Sequence, residues 1–390
     1  MRRRAFLQAA TTGTVVMGWQ GLKAVSGASE PALRIEEPFH GAVLNHRHGE
    51  AVYDGLSIRV SGQAPSEHAV TVNGTSARRS GAGFDCDLIL REPETDIIAA
   101  SAGQEHRIRV VWDRYSQPRY RFSIDDNSFF LRDVAQKQYV SLFDCFYLKG
   151  LRDLHVRYGT RFVLNIYYTT ADGFELPKFP ERYKGEWRDN ADWLTLAFHA
   201  YANDPDRPYQ NAPASQLIAD LDKVAEQIVR FAGEQTYSPP TVIHWGMVQP
   251  TALKPLYSRG VRVLSGYFRR SQGAYDINYL IDHIRSEYLS RHDALIDFES
   301  GITFSKVDIV CNNTPVDRIV PTLEPLTKDP NQAEIMDLFT HEQYFWPFYS
   351  SYVPDHFQRL DATIRWVTEH GYKPVFFHEG FLGGRDYRIV

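Results

Sequence analysis

Several marks of specialised protein classes are scarce or missing from this chain. It has three cysteines in 390 residues, Cys86, Cys145 and Cys311. An odd, scattered set builds neither a disulfide framework nor a cysteine-based zinc finger, and the three are expected to pack as small hydrophobes. Basic residues are not in excess: 43 Lys and Arg stand against 48 Asp and Glu, a net charge of −5. That balance gives no reason to expect a nucleic-acid partner, and no acidic run forms a solvating tail. Beyond the first thirty residues no apolar run has the length of a membrane span, so no stable membrane anchor is expected. Internal repeats and low-complexity tracts are absent as well.

What remains is ordinary globular composition with a surplus of rings. Apolar residues make up 43% and charged residues 23%, enough to bury a sizeable core, and the length allows two or three domains. Aromatics reach 13%, which supplies a large core and leaves some flat faces for binding. The first residues, MRRRAFLQAATTGTVVMGW, combine a basic start, a short apolar run and small residues near Ala24 to Ala28, the pattern of an export signal over 1–28. Arg3-Arg4-Ala5-Phe6-Leu7-Gln8 resembles the twin-arginine motif, which implies a periplasmic or secreted mature protein.

From 33 to 113 the pattern has period two. Leu56, Ile58 and Val60 alternate with polar residues, as do Phe84, Cys86, Leu88 and Leu90, and Asn73-Gly74 marks a tight hairpin. This predicts a small all-β, Ig-like sandwich. His40, His46 and His48 in "FHGAVLNHRHGE" have no Cys or acidic partner at ligand spacing and read as solvated loop residues. A linker, "DRYSQP", follows at 113–118. From 119 to 390 strand and helix patterns alternate. Apolar runs such as "RYRFSI", "RFVLNIYY", "WLTLAFHA", "TVIHWG", "VRVLSGYF", "KVDIVCN", "DLFTHEQYF" and "PVFFHEG" are separated by amphipathic stretches, in one of which Leu217, Leu221, Val224, Ile228 and Phe231 form a stripe before Gly233. Continuous apolar strands with helices between them imply an α/β fold with a buried parallel sheet. Seven or eight units imply a TIM-like (β/α) barrel.

In such a barrel the chemistry collects where strands finish. Here the strand ends carry Asp125 and Asp126, Asn165 and Tyr168, His199, His244 and Trp245, Tyr267, Asp308 and Asn312, His341 and Glu342, and His378 and Glu379. In "FSIDDN" two adjacent carboxylates repel unless they face different ways. One can then hold a divalent cation while the other takes a proton. An Asx turn or helix cap is the structural alternative.

These residues resemble the polysaccharide deacetylase (NodB-homology) superfamily, whose members are metal-dependent and share a deformed (β/α) barrel. "FSIDDN" stands at that family's first-strand Asp-Asp motif, "FHAYAND" at its His-containing ligand motif and "LFTHEQYF" at its late His motif. The resemblance covers the barrel and implies Asp125 as general base, Asp126 and His199 as metal ligands and His341 as general acid. Asn203 occupies the place of the family's second His, and "IHWG" replaces its Arg-containing motif. The third ligand is left among His244, Asn203 and Glu342. Zinc is the expected ion, although nitrogen and oxygen donors admit other divalent cations. Tyr168, Tyr201, Arg207, Tyr209, Trp245, Tyr344 and Trp346 are candidate contacts to a polysaccharide or oligosaccharide substrate, through ring stacking and hydroxyl hydrogen bonds. A glycosidase or lyase that pairs Asp125 with Glu342 or Glu379 and a non-catalytic carbohydrate-binding protein are the alternatives.

Overall fold

A computed structural model describes residues 32–65, 68–170 and 173–383. The expected export segment, 1–28, lies outside the described residues. Residues 34–112 supply two five-stranded sheets. Their ladders are antiparallel apart from a parallel pairing of Val43 and Leu44 with Val111 and Trp112. Leu56, Ile58 and Val60 from one sheet and Ile97, Ala99, Ile108 and Val110 from the other are buried in the same apolar core. Period two therefore produces inward and outward faces here. Asn73 and Gly74 both have positive φ, 46° and 80°, as a two-residue primed turn requires.

Apart from a two-stranded hairpin of Arg269–Ser271 and Ala274–Asp276, the remaining strands are named β1 (Arg119–Asn127), β2 (Phe162–Tyr167), β3 (Leu194–Ala200), β4 (Val263–Gly266), β5 (Ala294–Asp297), β6 (Ile302–Lys306), β7 (Ile309–Val310), β8 (Ile335–His341) and β9 (Lys373–Pro374). Helices α1 (Phe129–Lys137), α2 (Phe146–Tyr158), α3 (Ala214–Phe231), α4 (Val316–Leu323) and α5 (His356–Glu369) lie between or after them. A six-stranded parallel sheet runs β3-β2-β1-β8-β7, with β9 also on β1. Every residue of β2 and β3 is buried, which is why both strands are mostly apolar rather than alternating, with Asn165, Thr195 and His199 as the buried polar residues. In α3 the stripe Leu217, Leu221, Val224, Ile228 and Phe231 is buried, and Gly233 follows with φ +97°.

The expected ring of seven or eight strand–helix units is not one continuous ladder. Strands β4, β6 and β5 form a separate three-stranded sheet. Residues 241–246, expected as the fourth strand, form no ladder, and the stretch leading into them touches β3 through a Leu196–Tyr237 bridge and β4 through a bond from Ser265 N to Thr241 O of 2.8 Å. Pro239 and Pro240 lack N–H donors there, so no ladder can run through. On the other side the stretch 302–310 closes the curl: β6 pairs with β4 and β7 pairs with β8. Strand β5 pairs antiparallel with β6, a hairpin the sequence pattern does not predict. The first region is hooked to this hairpin by Gly41, whose O accepts from Ile296 N at 2.8 Å. A Cβ on Gly41 would lie 2.3 Å from Ile296 O, and its φ is +88°, so only glycine permits this approach.

Candidate metal centre and cavity

Strand β1 breaks its own pleat at the point where the two carboxylates stand. Asp125 is still in register with His341 of β8, but the pairing with β2 shifts between Ile124 and Asn127. Asp126 has φ +59°. A non-glycine residue in this region is strained, by about 1–3 kcal/mol, and such strain gathers at functional sites. The consequence is that the neighbouring carboxylates diverge. Asp125 is buried, and its Oδ1 accepts from Ser123 Oγ at 2.9 Å and Asn165 Nδ2 at 2.6 Å. Asp126 turns to a different set of partners.

Asp126 Oδ1 lies 3.0 Å from His199 Nε2 and 3.4 Å from His244 Nδ1, and it accepts from the Tyr167 hydroxyl. His199 ends β3. His244 opens a single turn, 244–246, in which Trp245 also takes a left-handed conformation, φ +61°. His244 Nδ1 and His199 Nε2 are 3.0 Å apart, and the three ligand atoms all lie within 4.8 Å of one another. Among the described residues this is the one group of His, Cys, Asp and Glu side chains arranged to hold a metal ion. Two imidazole nitrogens and a carboxylate oxygen, with an open side toward a cavity, are the donors of catalytic divalent-metal sites. The electrostatics of the three residues differ: burial opposes a charged His199 ring, but the Asp125 and Asp126 carboxylates outweigh it and raise its pKa. Burial opposes ionisation of Asp126, but hydrogen bonds from His199 and His244 outweigh it and hold the carboxyl well below its usual range. Burial lowers the His244 pKa, which favours the neutral, ligating ring.

A cavity of about 860 Å³ opens over this group. It is lined by Asp125, Asp126, His199, Asn203, His244, Trp245, Tyr267, His341, Gln343 and Tyr344 among others. His341 Nε2 lies 3.9 Å from Asp126 Oδ2, and its Nδ1 meets Asn312 Oδ1 at 3.0 Å. Trp245 is half-exposed, and the Arg207 guanidinium covers its ring at 4.8 Å while pairing with Asp276 at 2.6 and 2.8 Å. Asn203 reaches the Tyr167 hydroxyl at 3.3 Å and is not part of the converging group.

Other expected site residues stand elsewhere. Glu342, proposed from the sequence as a catalytic or ligating carboxylate, is fully buried. It accepts from Ser128 N at 2.6 Å, Phe129 N at 2.8 Å, Phe130 N at 2.6 Å and Trp346 Nε1 at 3.1 Å. It caps the start of α1, because alternation along the chain turns it away from the side His341 faces. Burial pushes its pKa up to about 7, but no oxygen is left for substrate. Glu379 pairs with Arg161 through both oxygens, at 2.6 and 2.7 Å. Arg161 precedes the first residue of β2, so this pair sits at the opposite rim of the sheet, and β9 is only two residues long. Trp346 is buried in the core. The Tyr209 hydroxyl accepts from Tyr201 N at 3.0 Å and donates to Asp220 at 3.1 Å. Tyr168 and Tyr201 stack on each other at 4.9 Å, outside the cavity lining. Conversely, Tyr167 and Gln343, whose Nε2 donates to Asp126 Oδ2 at 2.8 Å, escape the sequence reading. The signal lay one residue to the side in each case.

The fold and site together define a mixed α/β protein whose parallel strands bring an Asp-His-His group with metal-ligand geometry to the floor of a cavity. No protein-family model and no curated protein matches the sequence. Among solved structures, the chain is similar to 4-alpha-glucanotransferase from Thermococcus litoralis, with TM-score 0.41 and 12% identity, covering 68% of this chain and 40% of that one. It is also similar to the chitin deacetylase of the fungal pathogen Colletotrichum lindemuthianum, with TM-score 0.33, 12% identity and coverage of 66% and 85%. A third is Bacillus subtilis PdaA, a family 4 carbohydrate esterase, with TM-score 0.28, 10% identity and coverage of 66% and 77%. This chain thus spans well under half the length of the glucanotransferase.

Proposed function

We propose that this chain is an exported, metal-dependent hydrolase that removes acyl groups from a polysaccharide. The carrying observation is the convergence of Asp126, His199 and His244, with Asp125 and His341 bordering the same cavity. Those three residues would hold a divalent cation, for which two nitrogens and one carboxylate oxygen suit zinc. Such an ion supplies Lewis-acid polarisation of an acyl carbonyl and lowers the pKa of water. Asp125 is fixed through Oδ1 by Ser123 and Asn165, which leaves its second oxygen to take the proton of the attacking water. His341 is oriented through Nδ1 by Asn312, so its ring presents Nε2 to the departing amine or alkoxide. Trp245, backed by Arg207, offers a flat face to a sugar ring.

His244 also answers the replacement of the family's second His by Asn203: a ligand from a later loop takes its role. The two carboxylates expected to pair with Asp125 for glycosidic cleavage are engaged elsewhere: Glu342 is sealed by backbone N–H groups and Glu379 pairs with Arg161. The test is acetate release from acetylated polysaccharides. Release that stops with chelator and returns with zinc supports the reading. New reducing ends or unsaturated products without acetate would overturn it.

A further inference from the structure

The loop that follows His341 is unusually rich in rings. Trp346, Phe348, Tyr349 and Tyr352 fall within seven residues. The loop is tied at its ends by Val353 N donating to Tyr344 O at 3.0 Å. Glu342 welds its base to the start of α1 through three backbone N–H groups, and Trp346 Nε1 donates to the same carboxylate. Two strand ends are thereby joined: that of β1, which carries Asp125 and Asp126, and that of β8, which carries His341.

At that joint Phe348 is packed from beneath and open above. Its ring lies 5.1 Å from Phe129 and 5.5 Å from Trp346, and the Arg132 guanidinium covers it at 5.4 Å. It nevertheless remains 59% exposed. Tyr352, in the same loop, is 37% exposed. A ring held this firmly gains nothing in stability from its outer face, whose burial would have been favourable. The ledge is continuous with the cavity: Phe129 meets Tyr349 at 6.3 Å, Tyr349 meets Tyr344 at 5.5 Å, and Tyr344 lines the cavity 5.9 Å from the His341 ring.

We propose that Phe348 and Tyr352 form an auxiliary glycan-binding ledge, on which sugar rings of the polymer stack while a neighbouring ring occupies the cavity. The occupant is a chain of uncharged pyranoses, whose C–H faces suit aromatic surfaces. An anionic membrane is a poorer fit for a chain with net charge −5, since surface attraction there depends on basic clusters. The inference extends the hydrolase reading to polymer binding but is tested apart from it.

Native affinity electrophoresis in gels containing glycol chitin or acetylated xylan measures binding without turnover. The unaltered protein is expected to be retarded by at least one polymer. Phe348→Ala should weaken that binding roughly three- to tenfold, as the loss of one stacking pair implies, and Phe348→Trp should retain it. With an acetylated polymer as substrate, KM should rise by the same factor while kcat stays within about twofold. Tyr352→Ala is a second truncation of the ledge, for use if Phe348→Ala melts early. No retardation by either polymer, or equal retardation of the parent and both truncations, overturns the ledge whether or not acetate is released. Absence of acetate release with retardation intact removes the hydrolase reading and leaves the ledge standing.

Discussion

Asp126 and His199 are 73 residues apart in sequence, yet a carboxylate oxygen of one stands 3.0 Å from Nε2 of the other. The contact exists because β1 and β3 flank β2 in one parallel sheet, which brings their carboxyl ends to the same rim. Asp126 is also where the chain accepts a left-handed backbone. Both facts place the residue at the centre of the candidate site.

Asp126→Ala removes the oxygen on which both imidazoles converge. Metal content of the purified protein, measured by elemental analysis, is expected to fall at least about a hundredfold in affinity terms, since even supporting partners of metal ligands account for ten- to a hundredfold. Equal metal content in parent and variant would remove Asp126 from the centre.

The third ligand is decided by a pair of variants. His244→Ala should lose metal as severely as Asp126→Ala, because His244 Nδ1 lies 3.0 Å from His199 Nε2. Asn203→Ala should keep it, since Asn203 touches the Tyr167 hydroxyl rather than the converging atoms. Calorimetric zinc titration of both separates the two roles, and the reverse ranking would return the ligand to Asn203.

His341→Asn preserves the size of the side chain but not its titratable nitrogen. Metal binding should be retained and kcat should fall by about 10²–10⁴-fold, the usual contribution of a general acid. A variant that loses metal as well would make His341 a ligand instead.

Much of this was legible before any coordinates. The stripe of α3 and the mostly apolar β2 and β3 follow from the pattern of apolar residues, and a His at a strand end beside an Asp pair is a readable constellation. The parts that were not legible share a cause: position along the chain says less than direction. The sequence points to Tyr168, whereas its neighbour Tyr167 faces the ligands, and to Glu342, which points away from the cavity that His341 and Gln343 line. Glu379 was placed at the mouth because "PVFFHEG" reads as a strand, whereas β9 stops after Pro374. The hairpin of β5 and β6 was missed because parallel pairing was expected throughout, and short apolar runs carry no sign of their partner's direction.

Glu342 yields a stability prediction distinct from catalysis. Glu342→Leu leaves the N–H groups of Ser128, Phe129 and Phe130 without their acceptor in a buried setting. Each unsatisfied buried group costs about 1–3 kcal/mol, so a loss of several kcal/mol is expected by urea unfolding. Zinc binding by the folded fraction should persist. A variant of unchanged stability would show that the cap is dispensable.

Acid sensitivity is shaped by one buried histidine, His356, and two half-buried ones, His292 and His378. Burial lowers the pKa of His292 to about 4, of His356 to about 3 and of His378 to about 4. His356 stacks on Phe345 at 3.8 Å, and its Nε2 meets Thr340 Oγ1 at 2.7 Å; His292 stacks on Tyr288 at 3.7 Å. In the folded protein these rings stay neutral at a pH where the unfolded chain, with ordinary values near 6.5, has already protonated them. At these three groups the unfolded state therefore binds more protons in this window, and their contribution to stability falls as pH drops from about 6.5 toward 4. His356 carries the effect on down to about 3. In unfolding free energy measured between pH 7 and pH 4, these three rings should contribute a slope approaching three protons near pH 5, against which the raised carboxyls of Glu342 and Asp337 act. His356→Gln should shallow that slope by about one proton. A slope unchanged in His356→Gln would mean that its ring titrates in the fold as it does in the open chain, and that its burial against Phe345 does not exclude the charge.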